Sequence, residues 1–327
     1  MNRSTSSADR SSQRKGIVGP QADKDFQAIA APEIRRRVLL AHAVYAVRQT
    51  TKRLLGLPIA RLLLWLWQRQ WPGAHFIERL GLPRTGIECA YGKEALILHI
   101  NPRELKQFAM HPRGTKRKPT SEAFIWDGNW DLCRVELQND YALKFIRDLA
   151  IHRDDLSKTK KYEQLLKLAK AGTPFQSHQE GVYLNSKERI LEYLSVYLGF
   201  LDQMATRGYQ AERAKDYPGV AITREGRLVK VRRGAHRLAM AQWLGIKSLP
   251  VQVHYVHRHW WNRLRNGLHN RTALNTVLAE LPHVPFETEL GELSPTPAPE
   301  HERVHFACHG QPDLYFRINS RHQTKQT

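Results

Sequence analysis

Cysteine is scarce in this chain of 327 residues, which carries only Cys89, Cys133 and Cys308. An odd and widely spaced set does not form the disulfide framework of a secreted protein, and it favours a reducing compartment. The spacings Cys-x-x-Cys and His-Glu-x-x-His, which are typical of zinc sites, do not occur. We therefore predict a cytoplasmic protein without a metal site.

Acidic residues are also few. The chain has 31 Asp and Glu against 51 Lys and Arg, which gives a formal net charge of +20. Such an excess favours polyanionic partners, which include nucleic acid, anionic lipid and phosphorylated small molecules. No apolar core follows the first basic residues, so we predict no secretory signal. Residues 1–32 are polar and rich in Ser, and we expect a disordered tail there.

Long hydrophobic runs are missing as well. The most apolar stretch, residues 59–67, is too short for a transmembrane helix and contains Arg61. Residues 33–72 as a whole are predicted to form basic amphipathic helices. We favour an interpretation in which these helices pack on the protein's own core. The alternative is that they lie on the anionic inner face of a membrane, as peripheral helices do.

The most informative stretch is residues 228–253. Residues 228–231 predict a strand, and Gly234 predicts a turn. The apolar residues of 235–244 recur at helical spacing, and residues 249–253 alternate as a second strand does. The unit is therefore a strand, a glycine turn, a helix and a strand.

Basic side chains crowd the turn where this helix begins. Unpaired backbone N–H groups and the positive end of the helix dipole favour an anion there. We predict a phosphate site in which His236 donates to a phosphate oxygen and Arg237 binds it through two nitrogens. The alternatives are that the arginines are edge-strand charges and that His236 is structural. The predicted site comprises Arg232, Arg233, Gly234, Ala235, His236 and Arg237.

These residues also carry a resemblance. Gly-Ala-His-Arg-Leu-Ala at 234–239, with Leu-Gly-Ile at 244–246 and Pro-Val-Gln-Val at 250–253, resembles the signature of the ParB/sulfiredoxin superfamily. The resemblance implies an α+β fold with a mixed sheet, and ATP or CTP with Mg²⁺ bound at the turn. Two positions depart from the pattern. Ala235 replaces the reactive Cys of sulfiredoxin, which argues against that chemistry, and His236 replaces a Glu of ParB.

A second pair of motifs is similar to uncharacterised bacterial members of this superfamily, which are often associated with envelope polysaccharide genes. The motifs are Gly-Asn-Trp-Asp at 128–131 and Arg-His-Trp-Trp at 258–261. From the residues alone, Asp127 and Asp131 are either acid–base or metal-binding groups or parts of a tight turn. No spacing of metal ligands is complete around them.

Together, the turn and the resemblance imply an ATP-dependent phosphotransferase that acts on a small hydroxylated substrate. In this hypothesis His236, Asp131 and Glu136 are the catalytic residues. One alternative is a ParB-like nucleic-acid-binding or nuclease-like protein, which the net charge favours. Another is a non-catalytic protein that senses nucleotide.

The domain organisation follows from these assignments. We expect a ParB/sulfiredoxin-like domain at residues 73–261, with a helical insertion at about 135–210. Residues 262–327 are expected to hold C-terminal helices, a Pro-rich linker and a tail. Three further predictions are a strand at 95–100, a short helix that begins at Asn101 with Leu105 and Phe108 inward, and a β-hairpin at 221–231.

Overall fold

The computed structural model describes residues 26, 32–110, 122–178, 180–210, 216–231 and 233–292. Nearly all of the predicted tail, and all of the predicted Pro-rich linker, lie outside these residues. The described chain is α+β, as predicted, with helices packed around a mixed sheet. Its α-helices are α1 Arg35–Thr51, α2 Leu57–Gln68, α3 Ala74–Arg79, α4 Arg84–Tyr91, α5 Tyr141–Ile151, α6 Lys160–Lys170, α7 Lys187–Arg207, α8 Ala235–Leu244, α9 Arg258–Arg265 and α10 Asn270–Glu280.

The main sheet combines parallel and antiparallel pairs in the order β1-β9-β7-β8-β2-β4, and β3 also pairs with β9. A separate hairpin is formed by β5 and β6. The strands are β1 Ile97–Ile100, β2 Gln107–Ala109, β3 Ile125–Trp126, β4 Arg134–Glu136, β5 Phe175–Ser177, β6 Val182–Leu184, β7 Gly219–Ile222, β8 Leu228–Lys230 and β9 Leu249–His257.

Strand β9 is the longest strand of the sheet and pairs with three others. Its first seven residues alternate between buried and half-buried, because successive side chains of a strand point to opposite faces. Strand β1 pairs with its first half in antiparallel fashion, and β3 pairs with its last two residues in parallel fashion. Strand β7 runs parallel to it on the other side. The predicted strand at 249–253 is present and continues to His257.

The predicted hairpin is present as β7 and β8. One end of β7 lies beside the turn that leads into α8, and the other end leads into the hairpin turn. At its first residue, Gly219 accepts a hydrogen bond from the backbone of Val231, close to the turn that leads into α8. Beyond its last residue, Thr223 and Arg227 close the hairpin turn. Between Gly219 and Arg224 an extended chain covers about 16 Å, so the two ends form separate sites.

The predicted insertion contains helices α5, α6 and α7, whose first turns are capped by the side chains of Asp140, Thr159 and Ser186. Each caps a backbone N–H group that has no partner within its helix. The buried residues of α7 recur every three or four positions, so one face of this long helix joins the core. The β5–β6 hairpin between α6 and α7 was not predicted. It inserts a short sheet into a segment expected to be helical.

The N-terminal helices join the body through α2. A Cβ atom at Gly86 of α4 would lie 2.5 Å from the carbonyl oxygen of Ala60 in α2, so only glycine permits this approach. Glu78 lies buried beneath α2 and accepts hydrogen bonds from the indoles of Trp67 and Trp261, at 2.9 and 3.1 Å. In contrast, α1 has no buried residue. The expected packing on the core is confirmed for α2, whereas for α1 both interpretations stay predictions.

The helix predicted to begin at Asn101 is wrong. Residues 101–104 form a turn in which the Asn101 side chain accepts a hydrogen bond from the backbone of Arg103, at 3.2 Å. Asn forms such turns as readily as helix caps. Phe108 lies in β2 and pairs with Lys230 of β8. The spacing between Leu105 and Phe108 fitted a helix, but pairing with the sheet edge determines the structure.

Candidate functional site

The basic turn between β8 and α8 has an unusual backbone. Arg233 has a φ of 65° and Gly234 a φ of 67°, so two consecutive residues adopt the left-handed conformation. The turn also packs closely, since a Cβ atom at Gly234 would lie 2.6 Å from the Cα of Pro218. Glycine is therefore required at this position for its conformation and for its size. The left-handed Arg233 costs free energy, and such residues persist where the surrounding structure holds them in place.

The start of α8 lacks a capping side chain within the described chain, because its N-cap residue is Gly234. The first N–H groups of an α-helix have no acceptor inside the helix. The N–H groups of Ala235, His236 and Arg237 belong to this first turn. An uncapped helix start of this kind favours an anion, both through its donors and through the helix dipole.

The structure gives the two described arginines of the turn a common neighbour. Arg233 forms an ion pair with the carboxylate of Asp216, with a nitrogen–oxygen distance of 2.7 Å. Arg237 donates to the backbone carbonyl of the same residue, at 2.6 Å. A phosphate at the turn would therefore compete with Asp216 for Arg233. The predicted site residue Arg232 lies outside the described residues.

His236 is held by aromatic rings. Its imidazole lies 5.7 Å from the ring of Phe145 in α5 and 5.2 Å from the ring of Tyr197 in α7, both edge to face. Burial, together with the charges of Lys161 and Arg237, lowers the pKa of His236 to about 4. The imidazole is therefore neutral at pH 7 and has one N–H group to donate.

Two buried lysines complete the cluster, and sequence reasoning missed both. Lys161 of α6 is buried, lies 5.0 Å from the ring centre of Tyr141, and is close enough to His236 to affect its pKa. Lys230 ends β8 and is also buried. Its ammonium group donates to the carbonyls of Val231 and Arg233, the latter at 2.7 Å. Lys230 therefore holds the backbone of the basic turn from inside.

The protonation of Lys230 depends on this environment. Burial lowers the pKa of Lys230 to about 7, although the charge of Asp140 acts in the opposite direction. Burial in turn raises the pKa of Asp140, whose carboxylate caps α5 through the backbone of Ala142 at 2.8 Å. Asp140 is thus a carboxyl group near the cluster with a raised proton affinity. We call Lys161, Lys230, His236 and Arg237, together with the first turn of α8, the basic cluster.

Asp131 does not belong to the basic cluster. Its carboxylate is fully buried and accepts hydrogen bonds from Arg224, at 2.8 Å from the backbone and at 2.9 and 2.7 Å from the guanidinium group. Arg224 follows β7 in the hairpin turn, so Asp131 lies at the end of β7 away from Gly234. Burial by itself raises the pKa of Asp131, but the hydrogen bonds from Arg224 outweigh it and the pKa is lowered. The structure therefore places Asp131 away from His236, and its pairing with Arg224 favours a structural role.

The side chains around Asp131 are also packed against other parts of the protein. Trp126 stacks on Tyr255 with ring centres 3.7 Å apart, and Trp130 packs edge to face against the same ring at 4.8 Å. His257 lies 2.9 Å from the carbonyl oxygen of Gly128 and accepts from the backbone of His259 at 3.0 Å. These contacts support the interpretation of residues 128–131 as a tight turn that joins the aromatic rings to the sheet.

Glu136, the third predicted catalytic residue, lies at the end of β4. Its carboxylate accepts hydrogen bonds from the side chains of Gln138 and Asn139. Strand β2 separates β4 from β8, so Glu136 is two strand spacings, or about 10 Å, from β8. Asp140, rather than Glu136, is the carboxylate whose charge acts on Lys230.

Three further observations describe the surroundings. Within the described residues, no three His, Cys, Asp or Glu side chains gather as a metal site would require. Of the helices in that same part of the chain, none has the length and apolar character needed to cross a bilayer. Comparisons with protein families, with curated proteins and with solved structures gave no match. The resemblance to the ParB/sulfiredoxin superfamily therefore stays a prediction.

Proposed function

We propose that the protein binds a nucleotide by its phosphates at the basic cluster. The observation that carries this proposal is the uncapped start of α8, with Arg237 and His236 in its first turn and the buried Lys161 and Lys230 nearby. Phosphate oxygens accept hydrogen bonds from backbone N–H groups, and their charge offsets that of cations gathered in a poorly solvated place. Lys161 and Lys230 add positive charge beside this helix start, and that charge favours a bound anion.

The surrounding helices favour a small ligand over a nucleic acid duplex. Phe145 of α5, Lys161 of α6 and Tyr197 of α7 all approach His236, so three helices of the insertion border the cluster. A duplex requires an open groove or ridge that follows its backbone.

The reaction that fits this site is transfer of the terminal phosphoryl group of ATP to a hydroxyl group of a small substrate. The bond between the γ-phosphorus and its bridging oxygen breaks, ADP leaves with that oxygen, and the acceptor oxygen bonds to phosphorus. The acceptor proton passes to a carboxylate, for which we propose Asp140 in place of Asp131. Such catalysis depends mainly on positioning and on stabilising charge. Mg²⁺ is normally held by the nucleotide phosphates and few protein carboxylates.

Calorimetric titration of the full chain with ATP, CTP and a short DNA duplex tests the proposal, each with and without Mg²⁺. Arg237→Ala should weaken nucleotide binding at least ten-fold, because a charge-assisted bond to phosphate contributes about 1.5–3 kcal/mol. The matched control is Lys247→Ala, which removes the same charge just beyond the other end of α8 and should change affinity less than two-fold.

The outcomes separate the hypotheses. Saturable nucleotide binding that Arg237→Ala removes and Lys247→Ala keeps supports the proposal. Loss of γ-phosphate from ATP, measured with a panel of hydroxylated acceptors, would then distinguish a phosphotransferase from a nucleotide sensor. Tight, salt-dependent DNA binding without a nucleotide response would reject the proposal and favour the nucleic-acid hypothesis.

A further inference from the structure

The N-terminal helices form one long helical segment. Helix α1 passes through a π-helical turn at Lys52–Gly56 directly into α2, without an intervening loop. Only α2 has buried residues, which are Ala60, Leu64 and Trp67. These three residues lie on one side of the helix because they are three or four positions apart. The segment therefore buries side chains against the body along its second half, while its first half contacts the body through polar side chains.

A row of large apolar side chains runs along the opposite side of this segment. Their spacing of three, four or seven residues, with one adjacent pair, places them on one helical face. All are strongly exposed, from 45% for Trp65 to 69% for Leu54. The apolar face of a helix on a globular protein normally packs against the core. Here the core-facing side is formed by Ala60, Leu64 and Trp67 instead, and these large apolar side chains are left exposed. The row, which we call the apolar row, comprises Leu40, Val44, Val47, Leu54, Leu55, Ile59, Leu62 and Trp65.

The charges along the segment have a single sign. No Asp or Glu occurs between Glu33 and Glu78. Among the cations, Lys52 pairs with Glu122 of the body at 2.7 Å, and Arg37 donates to Gln176 at 3.4 Å. The cations of the segment are Arg35, Arg36, Arg37, Arg48, Lys52, Arg53, Arg61 and Arg69.

Aromatic side chains mark the end of the segment. The rings of Trp65 and Trp71 lie 6.2 Å apart, and the guanidinium group of Arg69 lies 5.9 Å from the Trp65 ring. Both indoles are exposed. Trp and Arg side chains together suit the boundary between lipid headgroups and acyl chains, because each combines an apolar body with a polar tip. A cavity of about 280 Å³ opens beside them, lined by Arg61, Trp65 and Cys89 among others.

We propose that this segment docks the protein on the surface of an anionic lipid bilayer, with the apolar row in the interface and the arginines against the headgroups. The combination of exposed Leu and Trp with cations and no anion is complementary to such a surface. A second copy of the chain is a poorer occupant. A two-fold interface would bring the same cationic segment against itself, and like charges across an interface oppose association.

Co-sedimentation with vesicles tests the docking. The full chain is mixed either with vesicles of phosphatidylcholine alone or with vesicles that also contain about 30% phosphatidylglycerol, an anionic lipid. The salt concentration is about 0.1 M in both cases. Binding to the anionic vesicles should be at least ten-fold tighter. The double variant Leu40→Glu/Leu62→Glu should lose at least ten-fold of that affinity. The control is Ile151→Glu/Leu290→Glu, which makes the same charge change at two exposed apolar residues elsewhere and should stay within about three-fold.

A second variant covers the case in which the first does not fold. Arg48→Gln/Arg53→Gln changes two exposed side chains and should weaken binding to anionic vesicles about 25-fold, at about five-fold for each cation removed. Equal binding to both vesicle types, no binding, or unchanged binding by these variants would overturn the proposal. So would a dimer in solution, detected by light scattering, that Leu40→Glu/Leu62→Glu dissociates.

Discussion

Replacing Asp131 with Asn should destabilise the fold and leave nucleotide binding intact. The carboxylate is fully buried, and the guanidinium of Arg224 donates to both of its oxygens. Breaking a buried ion pair costs about 3–5 kcal/mol. The lower end applies here, because the Arg224 side chain is 22% exposed and can regain water. We therefore expect a loss of about 3 kcal/mol in the free energy of unfolding, or a fall of about 6–12 °C in Tm.

Urea unfolding, followed by circular dichroism and by tryptophan fluorescence, measures this loss. Asp127→Asn is the matched control, since Asp127 is 62% exposed and pairs with Arg258 at 3.2 Å. An exposed pair contributes at most about 1 kcal/mol. Because the pKa of Asp131 is lowered, its contribution is present above the ordinary pKa of Asp and is lost only as the pH falls through the lowered value. If the Asp131→Asn variant were as stable as the wild type but had lost phosphoryl transfer, the structural role would be refuted and the catalytic role favoured.

Two further predictions concern the basic cluster. Nucleotide affinity should fall as the pH rises above about 7, by up to about ten-fold per pH unit. The reason is that Lys230 of the free protein loses its proton in this range, and binding of a phosphate requires the proton to be taken up again. Titrations of Lys230→Met across the same range should show a flatter pH profile, and a profile identical to that of the wild type would contradict the role of Lys230. Gly234→Ala should lower stability by more than about 1 kcal/mol, since φ is 67° and the added Cβ would meet Pro218. Gly199→Ala, at a helical position with open space around it, should be neutral or stabilising in the same thermal melts.

The backbone of the basic turn could be predicted from sequence, because its signals are local. Gly234 precedes a helical pattern and follows an apolar strand, and Gly245 ends the helix. The hairpin was predicted for the same reason. The helix at Asn101 was predicted wrongly because the competing signal, pairing of β2 with β8, comes from residues far away in the chain.

The composition of the cluster could not be predicted, because it depends on contacts between distant segments. Lys230 alternates with apolar residues and therefore suggests a solvent-facing position, yet the insertion and β2 cover it. Asp131 is 93 residues from its partner Arg224, and the sequence motif around Asp131 does not indicate that pairing. The periodicity of α1 is the same whether its apolar face meets the protein or another surface, so its exposure is visible only in the fold.

Hydrogen exchange of the backbone around α8 tests the central claim most directly. Exchange of the peptides that cover residues 233–240 and 222–228 would be followed by mass spectrometry, with and without saturating ATP and Mg²⁺. If phosphates bind the first turn of α8, the amides of Ala235, His236 and Arg237 should gain protection, and those of the hairpin turn should not. Protection confined to the hairpin turn or to other segments, with residues 233–240 unchanged, would contradict the account.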